Sequence, residues 1–145
     1  MASESVWRRM LLVGTGLVIG VAAILALWVI PLFREDTSPY ASPDTAIPVF
    51  WGFVIANALV AAALLGTALV TRRGGCASTV LLAAAGSVAP AVGFVLLIAA
   101  LDLYSEGNFM QGATVLLFAC AGGDLAAGVL AFTAAVVRLR QPPSQ

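Results

Sequence analysis

Four apolar runs, each long enough to cross a bilayer as a helix, decide what this chain can fold into. They are Met10 to Phe33, Val49 to Val70, Cys76 to Leu101 and Ala113 to Val137. About 20 helical residues span a hydrocarbon core of about 30 Å. Lipid offers no hydrogen bonds, so only helices or closed barrels can cross it. These runs are too long and too uniformly apolar for barrel strands. The sequence therefore predicts an all-α membrane protein: a single domain over 1–145 with helices at 10–33, 49–70, 76–101 and 113–137. Short connections join antiparallel neighbours, which predicts an up-down-up-down bundle. Outer loops are expected at 34–48 and 102–112 and an inner turn at 71–75.

Composition excludes the soluble alternative. Apolar residues make up 61% of the chain and charged residues 10%, whereas soluble domains run nearer to about half and a quarter. The first run exceeds the roughly 7–15 apolar residues of a signal peptide, and no small-residue cleavage site follows it, so it is expected to stay as a span. The tail 141–145 is polar with a Pro-Pro pair and is expected to fray. No extramembrane domain is expected.

Arginine placement sets the orientation. Arg8, Arg9, Arg72, Arg73, Arg138 and Arg140 fall on one side of a four-span chain and only Arg34 on the other. The positive-inside rule makes the six-arginine side cytoplasmic, so both termini are expected there, in the plasma (inner) membrane. Glu35, Asp36, Asp44, Asp102 and Glu106 lie in the outer loops, and Trp28, Phe33, Tyr40, Phe50, Trp51, Tyr104 and Phe109 sit near the outer boundary. That is the pattern of an interfacial aromatic belt. Pro39, Pro43 and Pro48 are expected to keep the first outer loop free of helix.

Helices in lipid associate through close backbone approach, which small residues permit. Helix four carries Ala119, Gly123, Ala127, Ala131 and Ala135 at four-residue spacing, and helix one carries Gly16 and Gly20. Ala58, Ala62 and Gly66 line the second helix, and Ala85, Ala89 and Gly93 the third. These stripes are expected to pack the bundle tightly or to meet a partner.

Asp124 is the residue most able to carry chemistry. It lies about 11 residues into the fourth run, which at about 1.5 Å per residue is ~16 Å deep. An ionised carboxylate at the bilayer centre costs about 2.5–3.5 kcal/mol or more, so it needs a proton, an ion, a polar neighbour or a cation from another subunit. Asn57 lies at a similar depth in the second run. Pro90 cannot donate to the carbonyl of Gly86, and Ser87 stands beside that gap. Asn57, Ser87, Pro90 and Asp124 are therefore expected to form one polar layer, with Cys120 a turn before Asp124 on the same face. Three roles compete for Asp124: a proton or cation site in a carrier, a protonated hydrogen-bonding residue that fixes helix register, and a partner for an arginine of another chain.

Enzymatic chemistry is not expected. The chain has no His, which removes the commonest general base and metal ligand. No nucleophile stands beside a base, Gly74-Gly75 is a turn and not a phosphate loop, and no cofactor or metal site is expected. The outer acids lack the alternating spacing of a calcium loop and read as a solvated rim. The two cysteines, Cys76 and Cys120, fall at different depths and are not expected to pair. Net charge is zero, so nucleic acid is not an expected partner. Expected partners are membrane lipids and other membrane protein subunits or further copies of the chain. The leading expectation is a non-enzymatic accessory or scaffold subunit that docks through its small-residue faces and Asp124. The alternative is an oligomeric proton- or ion-coupled carrier.

Overall fold

The computed structural model describes residues 2–35, 43–70, 76–105, 107 and 112–140. The inner turn 71–75, the loop positions 36–42, 106 and 108–111, and the tail 141–145 lie outside the described residues. With them lie Arg72, Arg73, Asp36, Pro39, Tyr40, Glu106 and Phe109. Apart from turns at Gly107 and Arg140 the described residues are helical, with no strand among them: α1 (Ala2–Ile24), a π-helical turn (Leu25–Val29), α2 (Ile30–Glu35), α3 (Pro43–Val70), α4 (Cys76–Ser105) and α5 (Gly112–Leu139). Four stretches are long and apolar enough to cross a membrane: Ser5–Arg34, Asp44–Leu69, Ala77–Ser105 and Gly112–Leu139.

The helices outrun the apolar runs. α3 begins at Pro43, not at 49, and takes in Pro48. Proline suits the first helical position because its φ is preset and its missing N–H would have had no partner there. Asp44 in the first turn suits the positive end of the helix dipole. Pro48 forgoes one bond, to the Asp44 carbonyl, and both residues are exposed at that end, where water serves the carbonyl. Apolarity marks the part of a helix that lipid covers, not the part that hydrogen-bonds.

The first span has one irregularity. Ile30 N–H donates to Leu25 O, five residues back. Pro31 explains it: a proline in a helix gives no N–H to the carbonyl four residues earlier, here Leu27, and its ring collides with that carbonyl. Widening one turn to π spacing moves the carbonyl aside.

The packing forms a ring. α5 lies against α4, its most extensive neighbour, and against α1, while α3 lies against α1 and, less extensively, α4. α3 and α5 are thus diagonal. The contacts run in opposite sequence order. Arg138 meets Trp7 and Gly112 faces Leu32, while Phe33 meets Phe50 and Gly14 faces Leu64. On α4 and α5, Gly86 faces Ala131 and Tyr104 meets Phe118.

The small-residue stripes divide into inward and outward positions. Gly86, Ala89 and Gly93 on α4 face α5 closely, and a methyl at Gly128 of α5 would overlap the Pro90 ring. On α5, Ala127, Ala131 and Ala135 are buried and Gly123 is half-buried, but Ala119 is exposed. Gly16 and Gly20 point outward, with no atom within 4 Å of where a side chain would begin. Ala58 and Ala62 are exposed as well. The inward face of α1 is instead Leu11, Gly14, Thr15, Val18 and Val21.

Candidate functional site

The apolar core is divided. One buried cluster holds Leu11, Val18, Val60, Leu64, Leu82, Ala89, Ala127 and Ala131, and a second holds Val21, Leu25, Val29, Phe50, Val92, Leu96, Leu117 and Cys120. On α1 the boundary falls between Val18 and Val21, and on α4 between Ala89 and Val92. Asn57 of α3 and Asp124 of α5 sit at that seam.

Both residues are 0% exposed. Asn57 Nδ2–H donates to Asp124 Oδ2 at 3.4 Å. Because α3 and α5 are diagonal, this bond runs through the middle of the bundle. Asn57 Oδ1 and Asp124 Oδ1 are also buried and have no hydrogen-bond partner. A carboxyl proton on Asp124 would give both oxygens a partner in a cyclic amide–acid pair, since a protonated carboxyl is a donor as well as an acceptor.

The two flanking helices close the site with backbone. At Gly93 of α4, a Cβ would lie 3.1 Å from both the Asp124 Cβ and the Ala121 carbonyl oxygen. At Gly123, a Cβ would lie 2.7 Å from Val21 Cγ2 of α1. A side chain at Gly123 would require Val21 to shift, and one at Gly93 would require its α5 neighbours to give by a few tenths of an ångström. The Cys120 thiol, also fully buried, is directed at the Val21 carbonyl oxygen at 3.9 Å.

Of the four residues expected in the polar layer, the structure brings together Asn57 and Asp124. Ser87 lies elsewhere: it is exposed, and its hydroxyl donates to the Ala83 carbonyl at 2.8 Å, one turn back in its own helix. That back-bond is the local alternative open to any helical serine, and Thr15, Thr67 and Thr133 make it too. Pro90 acts by shape, its ring filling the notch at Gly128. Asp124 is enclosed by this chain's own helices, so it presents no carboxylate to an arginine of another subunit. Gly93 brings α4 up to the Cβ of Asp124, and Gly128 takes the Pro90 ring one turn beyond the acid. Gly128 was legible only as a glycine one turn after it.

The arrangement can hold a proton and fix the relative height of α3 and α5. Among the described residues no group of three or more Cys, Asp or Glu side chains gathers as a metal site. Asp44 and Asp102 are exposed. Comparison of the chain with protein-family models, curated protein sequences and solved structures finds no match in any of the three.

Proposed function

We infer that this chain is a non-enzymatic membrane protein of the plasma (inner) membrane, an accessory or scaffold subunit of a larger membrane complex. In this reading it is an up-down-up-down bundle with both termini cytoplasmic. The opposite sequence order of the α1–α3, α4–α5 and α1–α5 contacts supports the topology. The meeting of Trp7 with Arg138 supports the orientation, because it brings Arg8, Arg9, Arg138 and Arg140 to one end.

The observation that carries the accessory role is the division of labour between the small residues. Gly86 and Gly93 of α4 and Gly128 of α5 are consumed by internal packing, whereas at Gly16 and Gly20 of α1 nothing lies within 4 Å of where a side chain would begin. Helix faces of that kind let another transmembrane helix approach closely. Asp124, sealed beside Asn57, serves the bundle itself in this reading. Purification from native membrane in a mild detergent, followed by native mass measurement, tests it. A defined assembly with another membrane protein supports the role, and a stable monomer with no co-purifying chain removes it.

A second reading, a proton- or ion-coupled carrier, is favoured by the two unpartnered oxygens of Asn57 and Asp124, since intramembrane acids commonly mark ion pathways. Its test is flux in liposomes driven by a proton gradient. Flux present in the natural chain and lost in Asp124→Asn establishes it.

A further inference from the structure

The end of the bundle opposite Phe33 and Phe50 holds a second polar arrangement. Trp7 is 3% exposed and closes the core there, in one cluster with Leu11, Leu82, Ala134 and Ala135. Two guanidinium groups stand against its ring, Arg8 Cζ at 5.6 Å and Arg138 Cζ at 5.3 Å from the centroid. One arginine comes from the start of α1 and the other from the end of α5. The Trp7 Nε1–H is buried without a hydrogen-bond partner.

Cation–π attraction accounts for an arginine over an indole. A phosphate at this end of the bundle is attracted by both guanidinium groups. Arg9 and Arg140 lie exposed on the same two helix ends, where water and salt screen their charge. Guanidinium forks match the oxygen spacing of phosphate and can bind it bidentately. Both arginines make further interactions within the chain. Tryptophan and arginine at the end of a span also mark the headgroup level of a bilayer, where phosphate is the abundant anion.

We propose that Arg8 and Arg138, flanking Trp7, form a site for the phosphate of one anionic phospholipid headgroup, with the Trp7 N–H as a third donor in the cluster. The bound lipid ties the first helix to the last at this end of the bundle. This rests on the four spans lying in a bilayer and not on an accessory role, so a failed capture of partners leaves it standing, and the reverse also holds.

The experiment titrates phosphatidylglycerol into the full chain in neutral detergent, reading bound lipid by native mass spectrometry and the thermal midpoint alongside. Phosphatidylcholine and inorganic phosphate are parallel arms. The expected result is one saturable phosphatidylglycerol that raises the midpoint. With each arginine near a headgroup contributing as basic side chains do at anionic surfaces, Arg138→Gln binds about five-fold and Arg8→Gln/Arg138→Gln about 30-fold more weakly. Arg9→Gln/Arg140→Gln, which removes the same charge, binds within about two-fold of the natural chain, because exposed charges are screened. If the paired Gln variant does not fold, the single Arg138→Gln comparison decides. Equal binding of phosphatidylcholine overturns the proposal, as does no saturable lipid or an equal loss in the Arg9/Arg140 variant. A full midpoint rise with inorganic phosphate alone assigns the site to a soluble anion and overturns the lipid claim.

Discussion

Asn57 and Asp124 meet across the diagonal of the bundle, Nδ2–H to Oδ2 at 3.4 Å, at the seam where the apolar core divides in two. Neither helix of the pair packs extensively on the other, so side chains and not backbones connect α3 to α5. Interhelical hydrogen bonds in membranes average about 0.6 kcal/mol and reach about 1.7. The pair therefore specifies register more than it supplies stability.

Removing one partner should cost more than removing both. Asn57→Leu leaves a buried carboxyl without its donor, and a loss of about 1–3 kcal/mol is expected. Asn57→Leu/Asp124→Leu should lose less than the sum of the two single changes, while Asp124→Asn, which can still accept from Asn57, should stay within about 1 kcal/mol of the natural chain. Reversible denaturation in mixed micelles reads all four. An additive double variant would show that the two side chains do not interact.

Glycines on the two faces should respond with opposite sign. Gly128→Ala drives a methyl into the Pro90 ring, and overpacking of that kind costs about 1–3 kcal/mol. Gly16→Ala and Gly20→Ala meet open space and replace a poor helix former, so the isolated protein should gain up to about 1 kcal/mol from each. Thermal midpoints in detergent check this. Pro90→Ala in the Gly128→Ala background should restore part of the loss.

These residues also show what was legible in the sequence. The spans were, because an unbroken apolar run of that length has one fold in lipid. The meeting of Asn57 and Asp124 was within reach, because the expected topology sends both runs across in the same direction and puts the two residues at similar depths. The faces were not. In a chain so rich in Ala and Gly, four-residue spacing matches several stripes on every helix, and only the packing separates inward Gly93 and Gly128 from outward Gly16 and Gly20. Ser87 was misplaced for a related reason: a helical serine bonds its own preceding turn as readily as it fills a proline's gap. The π turn before Pro31 had its signal in plain view, a proline inside an apolar run.

Cys120 should resist thiol reagents while the bundle is folded. It is 0% exposed and directed at the Val21 carbonyl. In a Cys76→Ala background, maleimide labelling in mild detergent should be negligible over hours and complete after denaturation in SDS. Fast labelling of the folded chain would show that water reaches the Asp124 level.

The two best-placed tryptophans should differ in weight. Trp7→Ala opens a cavity beneath Arg8 and Arg138 and should cost about 3–5 kcal/mol. Trp51→Ala, on an exposed position of α3, should stay within about 0.5 kcal/mol. Denaturation midpoints of the two variants, compared in one detergent, check the ranking.

The most direct test of the accessory role is quantitative capture from the native membrane in mild detergent, with the natural chain, Gly16→Leu/Gly20→Leu and Asp124→Asn compared at matched expression. The account predicts another membrane protein at fixed stoichiometry with the natural chain and with Asp124→Asn, lost or strongly reduced with the leucine pair while helical content is unchanged. Association abolished by Asp124→Asn but indifferent to the leucine pair, or no association with any of the three chains, would contradict it.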